Sequence, residues 1–225
     1  MILGKIAKSD SQIHYICQVN GPHEVEVAPE PADYVFGRFV RVRVALHSSA
    51  QPRERAGQSP DPRGATDLYV VGVICDTVLH NRGLDATGPR LSNEAQTEVF
   101  TPDYLAEKIA LVHVLTLGMM ELEHRTDSLA HVVTRTHGVP LSLKQDLAVE
   151  TMTDEEIRAF HVSSTPGVAL EMGYLLHLRS EGNTIFPAVV LEIIGQLESL
   201  IPHAQAWLGI IKQTVAWKHK VVPMA

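Results

Sequence analysis

Short runs rich in β-branched and aromatic residues, followed by a switch to helical period, constrain this chain more than any other feature. Ile2–Lys8, Ile13–Val19, Phe36–Val44 and Leu68–Leu79 are the runs, and Pro187–Ile201 and His203–Lys218 are the helical segments. β-branched and aromatic side chains fit a pleated, half-buried surface. Within Phe36–Val44, Phe36, Arg38, Val40, Val42 and Val44 share one parity, and Phe39, Arg41 and Arg43 share the other. That alternation predicts one largely apolar face and one largely wet face. The expectation is an α+β chain. A small antiparallel β-barrel over residues 1–180, with a long loop at 47–67, precedes a C-terminal helical hairpin over residues 181–225.

Turn chemistry separates the runs. Ser9-Asp10-Ser11 and Asn20-Gly21-Pro22 close the first two strands. Glu24–Val27 alternates briefly before Pro29 and Pro31, which cannot donate to a ladder. His47–Asp67 carries three prolines, two glycines, Arg53, Arg55 and Arg63, and reads as a hairpin insertion. Gly72 is placed at a bulge or barrel corner. His80–Asn93 reads as irregular, and Thr101-Pro102 as the start of a helical turn. Ile109–Met120 reads as a buried strand, because Val112, Val114 and Thr116 favour a pleat. Thr136–Pro140 is expected to turn, and Ser163–Gly167 to be loop. Thr153 and Glu156 form a capping box for a short helix reaching about Phe160. Val190, Ile193, Ile194, Leu197 and Ile201 share one face of the first C-terminal helix, and Pro202 ends it. On the second, Trp207, Ile210, Ile211, Thr214 and Val215 are expected to share the buried face.

The order of three strands resembles the HAS barrel, the small barrel at the N-terminus of HerA-type DNA-translocating ATPases and rotary ATP synthase subunits. The residues concerned are Ile2-Leu3-Gly4-Lys5-Ile6, Tyr34-Val35-Phe36-Gly37-Arg38-Phe39-Val40 and Val70-Val71-Gly72-Val73-Ile74. Leu111–Leu117 and Gly173-Tyr174-Leu175 extend the likeness across the region before residue 175. In HerA-type proteins this barrel precedes a nucleotide-binding motor, helps build the ring and engages a partner nuclease. Here no G-x-x-x-x-G-K-[ST] loop occurs, so nothing in the sequence cradles phosphates. The resemblance then implies an adaptor or assembly role, with an ATPase or a second copy of the chain as partner.

Composition narrows the function classes. The formal net charge of −7 argues against duplex DNA as the main ligand. Phe36, Arg38, Phe39 and Arg41 give a faint version of the aromatic and basic interleaving that single strands require. Arg38, Arg41 and Arg43 otherwise read as a solvated strand face, and they are the barrel's candidates for partner contact. Trp207, and Trp217 beside Lys218, His219 and Lys220, are the candidates on the last helix. Cys17 and Cys75 lie in apolar runs and read as buried free thiols of a reducing compartment. The N-terminus lacks the apolar h-region of a signal peptide, and no run suits a membrane span. The expectation is therefore a cytoplasmic protein.

Catalytic signatures are sparse. No G-x-S-x-G elbow is present, and Asp76 and His80 share strand parity without implying chemistry. His124, His131 and His137, with Glu121 and Glu123 nearby, are the metal-ligand types found in one stretch. Their spacing matches no H-E-x-x-H or Cys/His ribbon. A metal-dependent enzyme built on them is the alternative to a non-enzymatic adaptor without a cofactor. His113 reads as a hydrogen-bonded core histidine.

Overall fold

The computed structural model describes residues 1–22, 24–44, 66–81, 108–125, 128–162, 170–176, 178 and 185–221; for 66, 81, 108, 123–125, 128–137, 185 and 217–221 only the backbone is described. Among these residues there are seven strands: β1 (Ile2–Ser9), β2 (His14–Val19), β3 (Phe39–Val44), β4 (Thr66–Asn81), β5 (Lys108–Arg125), β6 (Ser128–His137) and β7 (Ala148–Thr151). The α-helices are α1 (Asp154–His161), α2 (Ile185–Leu200) and α3 (Gln205–Val221). The loop read at 47–67 lies outside the described residues as far as 65, but Thr66 and Asp67 already belong to β4, as do His80 and Asn81 of the stretch read as irregular. The segments 82–107 and 163–169 and the boundary placed between 180 and 181 lie outside the described residues.

The strands run in the order β2-β1-β7-β3-β4-β5-β6, and β2 also pairs with β5. That extra pairing closes six strands into an antiparallel barrel, and β6 lies beyond the ring. The length of β5 makes this arrangement possible. Its residues 111–115 pair with β2, and its residues 118–125 pair with β6 along the same edge. Closure removes most of the raw strand edge that an open sheet would present.

Two cores result. Leu3, Ile6, Tyr15, Cys17, Val42 and Val114 belong to the barrel interior. On the outside of β3, β4 and β5 a second core receives the helices. The strand β4 shows both. Val70 and Ile74 point inward, while Tyr69, Val71, Val73 and Cys75 face the outer core. A strand covered on both faces reads as a continuous apolar run rather than an alternating one, as Leu68–Cys75 does. A register shift at Val71/Gly72 leaves Leu117 of β5 as an extra residue. The bulge resets parity, so that Leu115 before it, Leu117 within it and Met120 and Leu122 after it all reach the outer core.

The capping box forms at α1. Glu156 N–H donates to Thr153 Oγ1, and Thr153 N–H donates to Glu156 Oε2 at 2.9 Å. The face assigned to α2 is buried throughout, from Val190 to Ile201. Arg158 Nε of α1 donates to the Leu200 carbonyl at 2.9 Å and so satisfies an orphan acceptor at the end of α2. One turn earlier on α2, Gln196 Nε2 donates to Gly37 O at 2.9 Å. Gly37 has φ +83°, and a Cβ there would meet the Glu192 and Gln196 side chains. Glycine is required both for the left-handed turn and for the close approach of α2.

Several expectations need correction. Residues 36–38 form a turn, so the third strand begins at Phe39. Glu24–Val27 is bends and turn, not strand. Residues 128–137 extend as β6 where a loop and a turn were expected, and β7 was not anticipated at all. The described residues of Leu170–Leu178 contain one 3-10 turn, Gly173–Leu176. The buried stripe of α3 is also different. Ala204, just before the helix, and Leu208 are fully buried, and Ile211 and Val215 pack beside them. Trp207 and Ile210 face outward. Among the described residues, no helix is long and apolar enough to cross a membrane.

Candidate functional site

The three arginines of the basic face are already partnered within the chain. Arg41 donates from Nε to Glu150 Oε2 at 3.0 Å and from Nη1 to Glu156 Oε1. Its guanidinium also lies 4.7 Å from the Tyr69 ring centroid. It thereby ties β3 to β7 and α1. Arg43 pairs with Asp67 at 2.6 Å. Arg38 Nη2 donates to the Ala32 carbonyl at 3.2 Å, while its buried Nε has no partner among the described residues. Phe39 is fully buried, so it does not interleave with these cations on an outer surface. Replacing Arg41 by Met would leave two half-buried carboxylates without their countercharge. The expected loss is about 1–3 kcal/mol of unfolding free energy by urea titration. Adding Glu150→Gln should recover part of it.

The histidines of the first metal candidate fall on β5 (His124) and β6 (His131 and His137), and their side chains lie outside the described residues. Glu121 pairs with Thr134, and Glu123 with His131. His131 and His137 are six positions apart on one strand, about 20 Å at the usual rise, which one ion cannot bridge. The stretch is not a loop on which all three converge.

A different cluster forms where β2, β5 and β4 lie side by side. In the register His14 pairs with Leu115 and Ile16 with His113. The two histidines are therefore diagonal neighbours on one face, within reach of each other. His113 Nδ1 and His14 Nε2 are 3.1 Å apart, and the rings are tilted at 45°. Asp10, in the β1–β2 turn, brings Oδ2 to 3.9 Å from His14 Nδ1. The turn itself is fixed, since Asp10 N–H donates to the His14 carbonyl at 2.9 Å. Cys75 sits on the other side. Its thiol donates to the His113 carbonyl at 3.4 Å and lies 4.0 Å from His14 Nε2. Burial, and then the neighbouring His113, hold His14 below the ordinary imidazole range. Burial pushes the Cys75 thiol up to about 12, so it stays protonated at neutral pH.

His113 was expected in the core and is instead half-buried, with His14 as its partner. No local pattern points to this cluster. Its members are 99 residues apart, and only the β2–β5 pairing joins them. Among the described residues the fully buried histidine is His161. Its Nδ1 donates to the Ile157 carbonyl at 2.8 Å, and its Nε2 meets the Tyr174 hydroxyl at 2.9 Å. This pair knits α1 to the 3-10 turn. Cys17 and Cys75 are both buried and free. They occupy different cores, the barrel interior and the outer face.

On α3 the partner candidate Trp207 is 63 % exposed, and Ile210 beside it is 59 % exposed. Positions 207, 210, 214 and 217 follow one another at three and four residues, so they form a stripe about 100° round the helix from the buried one. The side chain of Trp217 lies outside the described residues.

No curated protein matches the chain. A family model matches residues 1–53 and 62–224, which takes in the barrel and all three helices. The chain therefore belongs to the family described as a domain of unknown function, DUF8166.

Proposed function

We propose that this chain is a non-enzymatic assembly module, a barrel that presents α3 to a second copy of itself. The observation that carries the reading is the outward pair Trp207 and Ile210. A neighbouring stripe of α3 is already spent on the outer core, chiefly against α2, through Leu208, Ile211 and Val215. Large apolar side chains that a helix does not use for its own packing are the usual anchors of protein contacts. The narrower form of the reading, partnership with a HerA-type DNA-processing ATPase, rests on the sequence resemblance described above. Two buried free thiols favour a reducing compartment, in keeping with a cytoplasmic protein.

The test is the native mass of the full chain by light scattering, with a Trp207→Glu/Ile210→Glu variant beside it. The wild type is expected as a dimer or larger particle and the variant as a monomer with unchanged melting temperature. A wild type that stays monomeric at about 100 µM, well above the range of specific interfaces, overturns self-assembly. Retention of the variant's dimer would place the interface elsewhere and equally overturn the α3 reading. Capture of a purified HerA-type ATPase by the wild type and not by the variant would establish the narrower partner.

A further inference from the structure

We propose that Asp10, His14 and His113 form a binding site for one divalent transition-metal ion of the zinc class. A donor atom from each of the three lies within 4.8 Å of the other two. The shortest separation is the decisive one. Two imidazole nitrogens 3.1 Å apart fit an ion about 2.0–2.1 Å from each, with an angle near 100° between them. That angle suits tetrahedral and octahedral centres alike. Asp10 lies toward the Nδ1 side of His14, its Oδ2 3.9 Å from that nitrogen, and its side chain in an exposed turn must rotate to complete the site.

The chemistry of the donors selects the metal. Two imidazoles and one carboxylate suit zinc, cobalt or nickel. Calcium and magnesium demand mostly oxygen, which this set does not supply. Three protein donors leave at least one coordination position for water or an incoming ligand. The strand scaffold keeps the imidazoles in place, because Ile16 and Leu115, their direct cross-strand partners, are buried. A competitor is present. Lys8 Nζ lies 3.3 Å from Asp10 Oδ1, but both side chains are largely exposed and such pairs are weak. An arriving divalent ion displaces it. Cys75 remains on the His113 carbonyl and borders the site without being counted as a donor.

The site does not depend on α3 or on self-assembly, so its test and the preceding one fail separately. Protein stripped with chelator is titrated with Zn²⁺ and with Co²⁺ by calorimetry and by thermal melting. Binding of one ion per chain and a rise in melting temperature are expected. His14→Ala and His113→Ala should each weaken binding at least 100-fold, and Asp10→Asn about 10-fold. Far-UV circular dichroism of the metal-free variants checks that the barrel persists. His14→Gln guards against a folding artefact, since it keeps a polar partner for His113 while removing the imidazole. No saturable binding to the wild type overturns the proposal. So does one-to-one binding that survives the double histidine variant, which would put the ion at other residues.

Discussion

Gly4→Ala is expected to cost the fold about 3 kcal/mol or more, read as a drop in the urea midpoint at unchanged slope. Gly4 lies opposite Val19 where β1 and β2 run together. A Cβ there would collide with the Gln18 carbonyl oxygen and sit 2.8 Å from the Gln18 carbonyl carbon and 2.9 Å from Val19 Cα. All three obstacles are backbone, so no rotamer change relieves them. The strand must move, and β2 is fixed on its far side by β5. A paired control has the opposite sign. Gly195 is exposed in the middle of α2, with nothing within 4 Å of an added Cβ. Gly195→Ala should stabilise the protein by about 0.5–1 kcal/mol, because alanine loses less backbone entropy on entering a helix. If both substitutions act alike, the crowding at Gly4 is not real.

Phe160→Ala should cost about 3–5 kcal/mol, near the top of the range for core truncations. Phe160 is fully buried where α1 meets the outer core. Its ring stacks at 14° with Tyr174, 6.3 Å between centroids, and stands edge-on to His161 at 5.0 Å. His161 in turn stands edge-on to Phe39 of β3, 5.3 Å away. Truncation therefore opens a cavity among rigid rings that cannot collapse into it. In a domain of this size the melting temperature should fall by roughly 10 °C. Phe160→Leu fills part of the space and should lose less. A loss below about 1 kcal/mol would mean that α1 contributes little to holding the outer core together.

What the sequence revealed depended on how far apart the deciding contacts lie. The strands β1, β2, β4 and β5 were legible because each carries a long apolar or β-branched run. Thr153 and Glu156 announced α1 because a capping box is completed within four residues. The inward side of α2 followed from Val190, Ile193 and Leu197 at helical spacing. By contrast β7 has only four residues, with Val149 as its one fully buried member, too few to establish a period. On α3 the apolar positions cover more than one side, so spacing alone does not say whether Trp207 or Leu208 faces the outer core. Arg41 and Arg43 share a strand face, as their parity predicts, but that face is not uniformly wet, since Phe39 on it is fully buried and Arg41 is only partly exposed. Their ion pairs with Glu150, Glu156 and Asp67 came from distant strands and a helix that no local pattern predicts. The histidine pair was hidden for the same reason.

The pairing of Ile2 with Glu150 has a consequence for synthesis on the ribosome. The opening hairpin emerges with its first strand lacking a neighbour, and that neighbour is translated last among the staves of the ring. At usual elongation speeds the wait is about 10–30 s. Throughout it Leu3 and Ile6 stay in water beside an unpaired ribbon. The nascent chain should therefore call on holdase chaperones, and a circular permutant that starts just before Ala148 should shorten the delay.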